Sequence, residues 1–270
     1  MELTQQFLTQ NDCFSGGRTM LPRGVMIHST GVAQPSPQAF IRQWNKQDVP
    51  VCVHAFVCET GVIQTLPWNR RSWHAGTGTS GRSANNTHIS FEICEPKGHT
   101  YAGGTMLNYD VAKNADYFAK VYQNAVDLTA MLCKEYRLNP LQDGVVICHS
   151  EGYRRGVASN HADVEQWFPK HGKSMDIFRA DVSKAMKGDD GPQGPRRPLS
   201  LQDLGGHSPV GTGDREKPPS LRRPPGRRLR QPEYFPRSAP RLGDFEPRQI
   251  VKKYPTCDNV GYFFALILCF

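Results

Sequence analysis

Two short runs of this chain end alike. Residues 24–31 read GVMIHSTG and residues 144–150 read GVVICHS, each an apolar, strand-like run closing on a histidine followed by serine. The plain reading of such a residue is a core histidine with a satisfied ring; the other is a metal ligand presented at the edge of a sheet. In an α/β sheet the strand ends are where sites are built, so His28 and His149 could meet in space. A third candidate lies in SNHADVEQWF, where His161 and Asp163 stand two apart in a loop. A catalytic zinc site takes three protein ligands and keeps one position open for water. His28, His149 and Asp163 would make up that set. Singly, each has a bland alternative, Asp163 as the cap of a helical turn among them. Jointly, two strand-end histidines and a His-x-Asp loop in one small domain are hard to ascribe to coincidence.

The elements that must position these residues follow from pattern. Residues 24–28 read as a buried strand. A helix follows, with Ser36 as N-cap and Pro37 at its first position. VCVHAFVC and VIQTL flank ETG and predict a hairpin; HISFEICE is a further strand. A long helix is predicted over 111–137, capped by Asp110 and ended by Pro140, with Phe118, Val121, Ala125, Leu128 and Leu132 at helical spacing. GVVICHS is another strand, in which Cys148 sits directly before His149, and DVEQWF a single helical turn. SMDIFRADVSKAMK predicts a final amphipathic helix with Met175, Phe178, Val182 and Met186 on one side. Strands alternating with helices predict an α/β fold, a mixed central β-sheet flanked by helices.

Composition divides the chain. Of its 33 Lys and Arg and 25 Asp and Glu, residues 1–190 hold 19 and 18; 13 of the 21 prolines fall after residue 190. The basic excess therefore belongs to the C-terminal part. The reading is one catalytic domain over 1–188 and a low-complexity, disordered tail over 189–270, since a Pro- and Arg-rich segment buries too little apolar surface to offset its ordering entropy. Unspecific charge in LRRPPGRRLR could attract nucleic acid or another anionic polymer. The plainer reading is a passenger segment, even a reading-frame accident, with no specific nucleic-acid partner. None of the eight cysteines forms a CxxC pair, and several lie in apolar runs, which predicts free, buried thiols and folding in a reduced cytoplasm. The N-terminus carries no signal-peptide pattern, and the final GYFFALILCF is too short to span a bilayer.

GVMIHSTG, HAFVCETGVIQTLPWNRRSWHAG, HISFEICE and VVICHSEGYRRGVASNHADVEQWFP, in this order, resemble the zinc-dependent N-acetylmuramoyl-L-alanine amidases of the type-2 group. That group includes phage endolysins, bacterial amidases and animal peptidoglycan recognition proteins. The resemblance covers roughly residues 15–170 and looks nearest to amidases of clostridial-type bacteria and their prophages. It implies that His28, His149 and Asp163 bind Zn2+ and that Glu92 works on the zinc water. His161 stands two before the third ligand, where many members carry lysine, and Val164 where proline is common. Trp73 and His74, with His54 on the neighbouring strand, would line the substrate groove.

The chemistry implied is hydrolysis of the amide joining N-acetylmuramic acid to L-alanine in peptidoglycan. Glu92 would take the water's proton and return it to the leaving amine. His161 would stabilise the oxyanion. The expected protein is a monomer whose partner is peptidoglycan. It would be made in the cytoplasm and reach the wall on lysis, through a holin, or by a non-classical route. Two other classes compete: a wall-binding module of the same fold without catalysis, and a cysteine enzyme using Cys148 or Cys94. A catalytic cysteine usually starts a helix, and Cys148 reads as a strand residue.

Overall fold

The computed structural model describes residues 1–188. The tail reading for 189–270, with Cys257 and Cys269, lies outside them. Eight strands run in chain order: β1 (Leu3–Gln5), β2 (Gly24–Ser29), β3 (Ala55–Cys58), β4 (Gly61–Gln64), β5 (His88–Ile93), β6 (Thr100–Ala102), β7 (Thr105–Leu107) and β8 (Val146–Cys148). Six form one sheet in the order β1-β4-β3-β5-β2-β8. Only β3 and β4 pair antiparallel within it, joined as the predicted hairpin; the other pairings are parallel. The sheet is mixed, and helices flank it.

Alternation along the strands divides the faces. Val25 and Ile27 of β2, Ala55 and Val57 of β3, and Ile89, Phe91 and Ile93 of β5 pack into one apolar cluster with α3 (Ala115–Tyr136) and α5 (Met175–Lys187). The intervening residues point the other way. There Phe56 stacks on Phe40 of α2 (Pro37–Trp44), and Met26 packs with Ile147 and Ala158. On this second face the pattern leaves His28, Ser90 and Glu92 where the strand interiors are otherwise apolar. His28 and Glu92 are register partners on neighbouring strands, so their side chains emerge side by side.

The long helix starts four residues later than its pattern suggests. Asp110 does cap, but it caps a turn: its Oδ1 accepts the Lys113 N–H at 3.0 Å and its carbonyl accepts from Asn114. The helix then begins at Ala115. It ends at Tyr136, before Pro140, because Arg137 turns left-handed (φ 55°) and Leu138 N–H returns to the Cys133 carbonyl at 2.8 Å.

The cysteine expectation holds for Cys58, Cys94, Cys133 and Cys148, which are free and buried. It fails for Cys13 and Cys52, which form a disulfide. Their spacing of 39 residues carries no local motif, and the N-terminal helix α1 (Asp12–Ser15) that brings Cys13 to Cys52 was not legible. Buried Asn11 fastens this corner, its Nδ2 donating to the Trp44 and Val51 carbonyls. Closing a loop of this length typically contributes about 2–4 kcal/mol. A Cys13→Ser/Cys52→Ser double variant should lose that much in denaturant unfolding; an unchanged midpoint would mean the bond is not formed in solution.

Candidate metal centre

Three donor atoms converge on the second face. His28 Nδ1 lies 2.8 Å from Asp163 Oδ2, His149 Nδ1 lies 3.2 Å from the same oxygen, and the two Nδ1 atoms are 3.1 Å apart. A tetrahedral ion with bonds of about 2.0–2.2 Å holds its ligand atoms about 3.3–3.6 Å apart, so the edges of this triangle need to open by less than about 1 Å. The donor set, two imidazoles and one carboxylate, suits zinc.

Each ligand candidate is placed by a different device. His28 is the penultimate residue of the fully buried β2. His149 is not a strand end, as expected, but the first residue of a helix, α4 (His149–Arg154), with Cys148 at its N-cap. The strand stops there because the Glu151 carboxylate accepts the Cys148 N–H at 3.2 Å. Arg179 of α5 holds Glu151 in turn at 3.0 Å and donates to the Val146 carbonyl at 2.9 Å. Asp163 opens a 3-10 turn (Asp163–Gln166) with φ at +46°, a left-handed conformation that aspartate tolerates better than most residues. The β6–β7 hairpin, absent from the sequence reading, clasps that turn: Gln166 accepts the Met106 N–H at 2.7 Å and donates to the Gly104 carbonyl.

The outer nitrogens of the ligand candidates are also engaged. His28 Nε2 meets His74 Nδ1 at 2.9 Å, and His149 Nε2 meets Ser159 Oγ at 3.2 Å. Such contacts orient imidazole ligands. His161 Nδ1 lies 3.1 Å from the same Ser159 Oγ and 3.3 Å from His149 Nε2. Neither Ser159 nor Asn85, whose Oδ1 accepts the His74 and Ala75 N–H groups, stood out in the sequence. A lone polar side chain in a loop carries no signal of its own.

Glu92 is buried, and its Oε2 has no hydrogen-bond partner among the described residues. Burial, then the Asp163 and Glu95 charges, push its pKa well above the carboxylate range. Asp163 goes the other way. Burial alone would raise it, but the charges and hydrogen bonds of His149 and His28 hold it below its ordinary value. Two carboxyl groups with opposed environments therefore stand at one site, the arrangement that separates a proton carrier from a permanent anion.

The groove trio divides. His74 touches His28 directly. Trp73 is half-buried, packed on the α2 side and tied to Cys52 through a backbone bridge. His54 is corrected: it is fully buried, its Nδ1 accepts the Ser90 N–H at 3.0 Å, and its Nε2 donates to the Arg70 carbonyl at 2.7 Å. With burial lowering its pKa to about 4, it is a neutral core histidine with no face for a ligand.

A family model described as N-acetylmuramoyl-L-alanine amidase matches residues 18–166, more than half of the chain, and spans His28, Glu92, His149, His161 and Asp163. The chain belongs to the N-acetylmuramoyl-L-alanine amidase family. Within that family it is 29% identical over 107 residues to the amidase XlyA of Bacillus subtilis strain 168, covering 39% of this chain and 35% of that protein. It is 32% identical over 119 residues to the amidase CwlA of a Bacillus species, covering 43% and 39%. These matches thus span well under half of either relative. The hydrolase AmiA of Staphylococcus aureus, solved with its ligand, superposes with a TM-score of 0.52 at 21% identity over 72% of this chain and 88% of that one, a likeness of fold.

Proposed function

We propose that this chain hydrolyses the amide between N-acetylmuramic acid and L-alanine in peptidoglycan, using a zinc ion held by His28, His149 and Asp163. The observation that carries the proposal is the triangle of donor atoms, 2.8–3.2 Å on a side, beside a buried Glu92 oxygen that has no partner among the described residues. Zinc bound there would supply a Lewis acid and lower the pKa of a bound water toward about 7.

The chain's own residues do the rest. Glu92, beside His28 in register, takes the proton of the attacking water. The new carbon–oxygen bond forms at the lactyl carbonyl, the carbon–nitrogen bond breaks, and Glu92 passes its proton to the departing alanine nitrogen. His161, kept neutral by burial and by His149, donates an N–H to the oxygen on which charge develops. His74 and Ser159 fix the two imidazole planes.

A cysteine mechanism finds less support. Cys148 is a strand residue, as read from the sequence: it closes β8 and caps α4 without belonging to it; burial pushes its thiol up to about 12, and burial lifts Cys94 well above its ordinary value too. Neither forms a thiolate at neutral pH. A chelator should therefore abolish wall hydrolysis, added zinc should restore it, and thiol alkylation should leave it unchanged. Activity that survives exhaustive chelation would sink the metal reading; activity lost on alkylation would favour the cysteine one. Among the described residues no helix is long and apolar enough to cross a membrane.

A further inference from the structure

The segment that delivers His74 sets its Arg71 opposite a second arginine, Arg18. Residues 18–20 and 69–71 run antiparallel: Thr19 faces Arg70, the Arg71 N–H donates to the Arg18 carbonyl at 2.8 Å, and the Met20 N–H donates to the Asn69 carbonyl at 2.8 Å. This register puts Arg18 and Arg71 directly opposite, their side chains on one side of the ribbon. Like charges so placed repel. Among the described residues no carboxylate pairs with either; Arg71 Nε donates only to Asn86 Oδ1, at 2.7 Å. Arg70 leaves by the other side and lies over the Phe14 ring. Arg71 lies three residues before His74 on the same segment, and its partner Asn86 directly follows a residue that holds His74. Asn85, next to Asn86, accepts the His74 N–H at 2.8 Å, and His74 meets His28 at 2.9 Å.

We propose that Arg18 and Arg71 form a carboxylate-binding subsite for the peptide portion of the substrate, an inference that rests on the amidase reading above. Two guanidinium forks on one face can each grip a carboxylate oxygen, and an incoming anion relieves their mutual repulsion. The glycan side of the scissile amide offers no such group, because the lactyl carboxyl is itself tied up in the bond to be cut. The peptide beyond L-alanine bears free carboxylates. The ligand is therefore the anionic stem peptide, and the subsite selects chains whose carboxylates are free over those in which they are amidated.

Binding, which needs no turnover, tests this apart from the amidase reading. The full chain carrying Glu92→Gln is titrated with a short muramoyl peptide bearing free carboxylates and with the same peptide amidated. The free form should bind about tenfold more tightly, a typical effect for a charge-assisted hydrogen bond. Arg18→Gln and Arg71→Gln should each reduce that preference, the double variant should erase it, and Arg71→Lys should recover part of it. Removing one of two repelling charges should leave the unfolding midpoint unchanged or raised, which separates lost binding from lost fold. Equal binding of the two peptides, no binding of either, or a preference that survives both substitutions overturns the subsite. Failure of the wild-type chain to cut the amide would instead count against the amidase reading.

Discussion

Glu92→Gln should retain zinc and lose turnover by about 10²–10⁴-fold, the usual contribution of a positioned general acid–base group. The amide is nearly the same size, so the packing around β5 persists, but it can neither take the water's proton nor return it. The expectation draws on three properties of the residue. It emerges beside His28 in register, its Oε2 is buried without a partner among the described residues, and burial with two neighbouring carboxylates raises its pKa above that of an ordinary carboxyl group. Metal analysis and turnover on purified peptidoglycan, run on the same sample, check the result. Wild-type turnover in this variant would return Glu92 to the status of an ordinary strand residue and make His74 the first alternative base to examine.

Asp163→Asn should fail differently, by losing the metal and with it the activity, down to background. Asn keeps the side-chain shape and tolerates the left-handed backbone at φ +46°, whereas Ala there would add roughly 1 kcal/mol of strain to the readout. What Asn removes is the negative charge that faces both Nδ1 atoms. Zinc content after dialysis against a mild chelator should fall well below one per chain, while Glu92→Gln treated alongside keeps its metal. Equal metal retention in the two variants would remove Asp163 from the ligand set.

The strand ends, the central hairpin and the final helix were legible because each rests on a local pattern: an apolar run, a Gly turn, a helical stripe. The convergence of His28 with Asp163 has a local sign of a different kind in each case: a histidine closing an apolar run, and a His-x-Asp pair in a loop. Position along the chain was less secure. His149 passes from strand end to helix start because Glu151 reaches back to the Cys148 N–H, a contact between residues three apart that periodicity does not register. His54 illustrates the opposite error. It sits among candidate site residues in sequence, yet Ser90 and the Arg70 carbonyl saturate its ring, and only three-dimensional contacts reveal that. The disulfide, the β6–β7 clasp on Gln166 and the Ser159 bridge depend on partners tens of residues away, which one sequence cannot supply.

The account turns on which bond is cut, and mass analysis of the products reads that directly. Purified peptidoglycan digested by the zinc-loaded chain should release peptides with a new free L-alanine amino terminus, and leave glycan strands whose muramic residues carry a free lactyl carboxyl. No release should follow from chain stripped of metal. Products in which the lactyl–alanine amide remains intact, with cleavage at a sugar linkage or within the peptide, would contradict the account.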